Sequence, residues 1–118
     1  QECGRDFLIL SGNDYMTLGI IAHGGHGAIS VTANVAPALN AQQVKACLAG
    51  DFATALALQD QLYPLHRALF TDASPGPTKY ALSVLGHMEA GTRLPVVEPS
   101  AVSKAAVDAA LAHAGIAP

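Results

Sequence analysis

The apolar positions of this 118-residue chain change rhythm near Pro37. Before it lie two short apolar runs, Phe7 to Leu10 and Ala28 to Val31. The first stops abruptly at Ser11, Gly12 and Asn13, and the second gives way to Thr32, Ala33 and Asn34. Runs of this kind read as strands buried on both faces, with carboxyl ends that open onto a polar site. Between them Met16, Leu18, Ile20 and Ile21 make a short helical pattern, with Asp14 as its cap and Gly24 and Gly25 as its stop. The expectation is a βαβ unit with a parallel pair.

After Pro37 the pattern is helical only. Asn40-Ala-Gln-Gln43 has capping-box form, Val44, Cys47 and Leu48 give an apolar stripe, and Gly50 ends that helix. Asp51 caps a longer one in which Phe52, Leu56, Leu62, Leu65 and Leu69 fall near helical spacing, running to about Phe70. Pro64 lies inside it and predicts a kink rather than a break, because the stripe continues on both sides. Thr71 to Gly76 reads as a linker. Pro77 then opens a helix that buries Tyr80, Ala81, Val84 and Leu85 before Gly86. Gly91 to Pro99 is a second extended connection, and Ser100 caps a last helix carrying Val102, Ala106, Ala109, Ala110 and Leu111 that stops near Gly115.

Two parallel strands keep an unpaired edge each and an uncovered face, so further strands must come from elsewhere. Gln1 to Asp6 reads as the tail of a helix and a loop entering a strand rather than a natural amino terminus. A fragment, a proteolysed chain or one half of a complementing pair all fit that reading.

Composition narrows the function classes. With 51% apolar residues there is material for a core, and abundant Ala and Leu with no Trp favour packed helices over a β-sandwich. A net charge of −3 with interspersed signs gives neither a basic footprint for nucleic acid nor a polybasic patch for a membrane. No apolar run approaches the roughly 20 residues of a spanning helix, and no charged region precedes a signal-like core. A cytoplasmic chain is expected, and Cys3 and Cys47 read as free thiols.

Several residues invite chemical readings. Gly24-Gly-His-Gly27 follows a helix and leads into a strand, the reverse of a phosphate-binding loop, so a tight turn is expected. His23 and His26 lack nearby Asp or Cys at ligand spacing, and His66, His87 and His113 are scattered on helices, so no metal site is expected. Gly12, at a strand end, can let its backbone approach a small ligand closely, or can serve turn geometry alone. Lys45 and Lys104 fall on polar helix faces. Lys79 falls in the first turn after Pro77, where it can orient the Pro75 to Pro77 loop; none of the three is in a strand.

Ser11-Gly-Asn-Asp14, a helix, and then Gly24-Gly-His-Gly-Ala-Ile-Ser-Val-Thr-Ala-Asn-Val-Ala-Pro37 resemble the last two strands of the dihydrodipicolinate synthase family, pyruvate-dependent class I aldolase-type barrels. Leu62-Tyr-Pro-Leu-His66, Pro75-Gly-Pro-Thr-Lys79, Arg93-Leu-Pro95 and Ala112-His-Ala-Gly115 follow in the order and spacing of that family. The resemblance implies an α/β fold: the C-terminal part of a (β/α)8 TIM barrel over residues 1–37, followed by a C-terminal α-helical region over 38–118. It implies condensation of pyruvate, held as a lysine Schiff base, with aspartate semialdehyde, on the route to lysine and diaminopimelate. Gly12 would contact the carboxylate end of pyruvate and Ile29 would pack over the reactive lysine. On the residues alone, Ile29 equally fits an inward-pointing barrel position. The family commonly has Asp where this chain has Asn13, so an acidic role does not carry over there. The family's reactive lysine, tyrosine relay and aldehyde-binding arginine match no position here, so no catalytic residue is assigned and the chain alone is expected to be inactive. No cofactor is implied, and the family is commonly a homotetramer.

Two alternatives stand beside this. An N-acetylneuraminate lyase or sugar-acid aldolase shares the superfamily, although Ser30-Val-Thr-Ala-Asn34 looks more like the synthase. A non-catalytic structural half, assembling with the remainder of the barrel, is motivated by the strand edge at Phe7 to Leu10.

Overall fold

A computed structural model describes residues 3–116. The expected lead-in at Gln1 and Glu2 lies outside them. Strand β1 (Leu10–Ser11) is followed by a 3-10 turn at Asp14–Met16, helix α1 (Thr17–Ala22) and strand β2 (Gly27–Ala28). A second 3-10 turn at Thr32–Asn34 leads into α2 (Pro37–Leu48), α3 (Phe52–Ala68), α4 (Gly76–Val84) and α5 (Ala101–His113). β1 and β2 are parallel, with Leu10 opposite Gly27 and Ser11 opposite Ala28. The expected βαβ unit is therefore present.

Its strands are shorter and barer than the apolar runs predict. Phe7, Leu8, Ile9 and Leu10 are 47–67% exposed rather than buried on both faces. The physical reason is the single neighbour: β2 and α1 contact β1, and no third strand among the described residues covers the rest. Pairing begins where β2 comes alongside, with the His26 N–H donating to the Ile9 carbonyl at 2.8 Å and the Ile29 N–H to the Ser11 carbonyl at 2.8 Å. Phe7 and Leu8 precede that point.

The glycines after α1 make the tight turn. Gly24 has a φ of 96°, and a Cβ on Gly25 would come within 2.7 Å of the Ile20 side chain and 2.9 Å of its carbonyl oxygen. Only a residue without a side chain lets the chain fold back so closely onto α1.

The core lies among the helices. Leu62, Leu65 and Leu69 are fully buried, against Ala81 of α4 and Val107, Ala110 and Leu111 of α5, with Val35 and Ala36 closing the cluster. Each fully buried leucine of this kind contributes about 1.5–3 kcal/mol. A smaller cluster of Ile21, Cys47 and Ala55 fastens α1 to α2 and α3.

Four helix details correct the expectations. α2 begins at Pro37, in its first turn, and not at Asn40, because proline's fixed φ suits that position; Asn40 is buried and its amide donates to Ser30 Oγ at 3.1 Å. On α3 the buried line runs through Ala55, Leu62, Leu65 and Leu69, while Phe52 and Leu56 are exposed. At about 100° per residue those two lie roughly a quarter to a third of a turn off the line of Leu62, whereas Ala55 lies near it. On α5 the buried face is Ser103, Val107, Ala110 and Leu111, with Val102 81% exposed. Ser103 is turned inward by its contact with the Thr71 hydroxyl, 2.6 Å between oxygens. Leu48 of α2 is also exposed, one position beyond buried Cys47.

The caps at the other ends form as expected. Asp51 accepts from the Thr54 N–H at 3.1 Å and Ser100 Oγ from the Ser103 N–H at 3.2 Å. α3 runs through Pro64 without a break. Proline cannot donate to the Asp60 carbonyl one turn back, and His113 Nε2 of α5 lies 3.4 Å from that oxygen. The broken rung thus has a long-range contact in its place.

Candidate functional site

The carboxyl ends of the two parallel strands carry the polar residues that the pattern singles out, in the place where ligands sit in parallel α/β architectures. Ser11 Oγ donates to the Asn13 carbonyl at 2.8 Å and accepts from the Asn13 N–H at 3.2 Å and from Thr17 Oγ1 at 3.1 Å. These bonds fix the start of the loop by hydroxyls instead of by bulk. Gly12, held within it, is exposed; a Cβ there would meet nothing within 4 Å. Neither crowding nor a left-handed φ requires glycine at this position in the fold.

Asp14 does not cap the following helix. Its Oδ2 instead accepts from the Val31 N–H at 3.1 Å, the Thr32 N–H at 3.1 Å and the Thr32 hydroxyl at 3.2 Å. The carboxylate is 6% exposed, and by reaching the turn after β2 it ties together the two loops that leave the strands. A bound backbone N–H pair and a hydroxyl across 17 and 18 positions is a tertiary clamp, which outcompetes the local capping geometry. Thr32 Oγ1 lies 2.8 Å from Nδ1 of His66 on α3. His66 is 1% exposed, and its burial lowers its pKa below the ordinary imidazole value, opposed in part by the nearby Asp14 charge. Asp14 Oδ1 and His66 Nε2 have no hydrogen-bond partner among the described residues.

A cleft of about 670 Å³ opens beside this clamp. Gly12, Asn13, Asp14 and Tyr15 form one wall, and His66 and Arg67 of α3 with Phe70 just beyond it the other. Tyr15 is held by an edge-on contact with Tyr63, 6.2 Å between ring centroids, and its carbonyl accepts from Gln59 Nε2 at 3.2 Å. Arg67 is exposed, with Nη1 3.5 Å from the Tyr63 hydroxyl, and brings a cation to the cleft.

Of the two residues singled out for pyruvate, Gly12 lines the cleft. Ile29 follows directly on the Ser11–Ala28 pair, one residue beyond β2, and is 74% exposed and outside the cleft. The lysines lie elsewhere. Lys79 Nζ donates to the Gly91 carbonyl and so ties α4 to the second connection, not to the Pro75 to Pro77 loop. Lys104 pairs with Glu98 and lies 5.5 Å from the centre of the Tyr80 ring, and Lys45 is exposed on α2. His23 Nδ1 lies 2.7 Å from the Gly19 carbonyl, and His26 Nδ1 accepts from the Ile9 N–H at 3.1 Å, so both rings serve the turn. Among the described residues no three His, Cys, Asp or Glu side chains are placed to hold a metal ion. Cys3 and Cys47 are free thiols, and burial raises the pKa of Cys47. No helix among the described residues is long and apolar enough to cross a membrane.

The clamp of Asp14, Thr32 and His66 escapes sequence reasoning, since nothing in a spacing of 18 and 34 residues announces it. Only the position of Asp14 and Thr32 at strand ends points there.

Comparison with known proteins agrees over nearly the whole chain. The model of the dihydrodipicolinate synthetase family matches residues 1–114. The 4-hydroxy-tetrahydrodipicolinate synthase of Rhizorhabdus wittichii is 64% identical over 118 residues, which are 99% of this chain and 40% of that protein. A crystal structure of dihydrodipicolinate synthase from Thermotoga maritima superposes with a TM-score of 0.93 at 33% identity, over 98% of this chain and 39% of the other. The chloride-inhibited dihydrodipicolinate synthase from Acinetobacter baumannii, complexed with pyruvate, gives 0.88 at 33% identity, over 93% and 38%. The chain thus spans about 40% of the length of the curated relatives it matches. The parallel strand pair with its polar ends, the helices behind it and this match over residues 1–114 lead to one conclusion: the chain belongs to the dihydrodipicolinate synthetase family.

Proposed function

We propose that this chain is the C-terminal part of a (β/α)8-barrel lyase that condenses pyruvate with aspartate semialdehyde, with residues 1–37 giving the last two barrel strands and 38–118 a helical region behind them. The observation that carries the reading is Gly12: an open, hydroxyl-fixed backbone position at the carboxyl end of a parallel strand, where the fold itself does not require glycine. A backbone without a side chain lets the carboxylate of a small keto acid come close. Pyruvate bound in the similar synthase of Acinetobacter baumannii supports the choice of ligand.

Schiff-base chemistry needs a neutral amine, and an apolar pocket lowers a lysine's pKa by disfavouring the ammonium form. Ile29, apolar and beside Ser11 at the strand end, is suited to cover such an amine. The amine attacks the keto carbon of pyruvate and water leaves to give an imine. Loss of a methyl proton then gives the enamine that attacks the aldehyde. The lysine comes from the remainder of the barrel, because Lys45, Lys79 and Lys104 all lie away from the cleft. The exposed row Phe7 to Leu10, together with Ile29, is the apolar surface against which that remainder packs. The same row favours the second reading, a structural half that acts only when completed. Placement in the cytoplasm, assembly as a homotetramer and a reaction needing no cofactor complete the proposal.

The test is a substrate comparison on the full-length protein. Turnover of pyruvate with aspartate semialdehyde, and none of N-acetylneuraminate, supports the reading. The opposite preference assigns the chain to the sugar-acid branch.

A further inference from the structure

His66 is nearly fully buried, lines the cleft beside Gly12, and has no role in the scheme above. Its protonation follows from hydrogen-bond accounting. Thr32 has one hydroxyl proton, and the Asp14 carboxylate at 3.2 Å can only accept it. The Thr32 oxygen is then left to accept, so the ring nitrogen at 2.8 Å donates: His66 carries its proton on Nδ1, and Nε2 is a bare acceptor. The order of donation runs from His66 through Thr32 to Asp14. Ser11 and Thr17 fix the beginning of the Gly12 loop and Asp14 fixes its end. α3, immobilised by Leu62, Leu65 and Leu69, holds Tyr15 through Gln59 and Tyr63 and reaches Asp14 through the side-chain chain of His66 and Thr32.

We propose that His66 is a positioning residue, which through Thr32 holds the Asp14 carboxylate and with it the Gly12-Asn13 rim in the geometry that receives pyruvate. This rests on the pyruvate reading of Gly12 and deepens it. Removing the ring's donor frees the Thr32 hydroxyl to turn and leaves the carboxylate with its two backbone partners only. The rim then samples more positions, so the effect falls on pyruvate capture more than on the later chemical step.

The experiment uses four variants of the full-length protein, His66→Leu and Thr32→Val without the donor chain, His66→Asn and Thr32→Ser with it. Initial rates against pyruvate concentration and thermal midpoints are measured for each. The expected result is a KM for pyruvate raised about tenfold in the first pair with kcat within roughly threefold, and values near wild type in the second pair. A KM that is unchanged in the first pair, or that follows the thermal midpoint instead of the presence of a donor, overturns the proposal. Selective 15N-histidine labelling of the unmodified protein gives a second readout that needs no variant to fold. A proton on Nδ1 of His66 is expected, and one on Nε2 alone overturns the order of donation. If the wild type neither traps nor turns over pyruvate, the pyruvate reading itself has failed and the substrate half of the positioning claim falls with it. The imidazole signals then still decide the donor chain.

Discussion

Replacing Asp14 by alanine separates a tertiary clamp from a helix cap by magnitude. A lost cap costs about 1 kcal/mol. The geometry of Asp14 implies more, because one carboxylate oxygen accepts from two backbone N–H groups and a hydroxyl, and Thr32, which supplies two of the three, is fully buried. Alanine leaves those donors without an acceptor where water does not reach them easily. Each buried unsatisfied group costs about 1–3 kcal/mol, and Val31, being half-buried, recovers part of its loss from solvent. The sum is about 3–5 kcal/mol of local stability. Hydrogen exchange reads it directly, since the Val31 and Thr32 amides are themselves the donors. In the full-length protein, exchange over residues 29–36 should accelerate by roughly two to more than three decades in Asp14→Ala, at about 1.4 kcal/mol per decade. Acceleration of tenfold or less over that segment would mean that the carboxylate acts as an ordinary cap, and the two loops are not tied through it.

Four further outcomes follow from the same geometry. Gly12→Ala should leave the unfolding free energy within about 1 kcal/mol of wild type, because a Cβ meets nothing, yet weaken pyruvate binding; a large loss of stability would assign Gly12 to turn geometry. Leu65→Ala should cost about 2–5 kcal/mol in denaturant unfolding, while Leu56→Ala, on the exposed side of the same helix, stays within about 1. Ser100→Ala should cost about 1 kcal/mol through its lost bond to the Ser103 N–H, seen as faster exchange in the first turn of α5 only. The fourth concerns acid. Burial holds His66 below its ordinary pKa, so the unfolded chain binds the proton more readily and neutral His66 contributes stability that is fully present above about pH 6.5. That contribution is lost as pH falls from there through the depressed value. Asp14 from the turn after β1 faces the ring, with Tyr15 and Arg67 on the adjoining cleft walls. Melting temperature should therefore decline less steeply between pH 6.5 and 5 in His66→Asn than in wild type, and parallel curves would exclude this source of acid sensitivity.

How much of this could be read from the chain depends on the range of the interaction. Helix ends set by one residue were legible: Gly50 and Gly86 at positive φ, Asp51 and Ser100 as caps. So was the parallel pairing, although β2 ends at Ala28, where the second apolar run begins. Which apolar residues are buried was less so, because hydrophobicity and helical phase disagree at Phe52, Leu56 and Val102. There the smaller Ala55 and the polar Ser103 occupy the inward positions. The Asp14 clamp was invisible for another reason. A carboxylate at a helix start satisfies the local capping rule equally well, and only the fold brings Val31 and Thr32 within its reach. Gly12 and Asn13 were legible as candidates because they sit at a strand end, and both line the cleft. His66 and Arg67 arrive from α3, more than fifty positions later; Leu62-Tyr-Pro-Leu-His66 carries the family resemblance, but nothing in it points to the strand ends.

The most direct test is to treat the full-length protein with pyruvate and borohydride and to map the adduct by peptide mass. If the chain forms part of a Schiff-base lyase, one stable adduct of reduced pyruvate appears on a lysine outside residues 1–118, and its yield drops when Gly12 is changed to valine. An adduct on Lys45, Lys79 or Lys104, or none at all in protein that is folded, contradicts it.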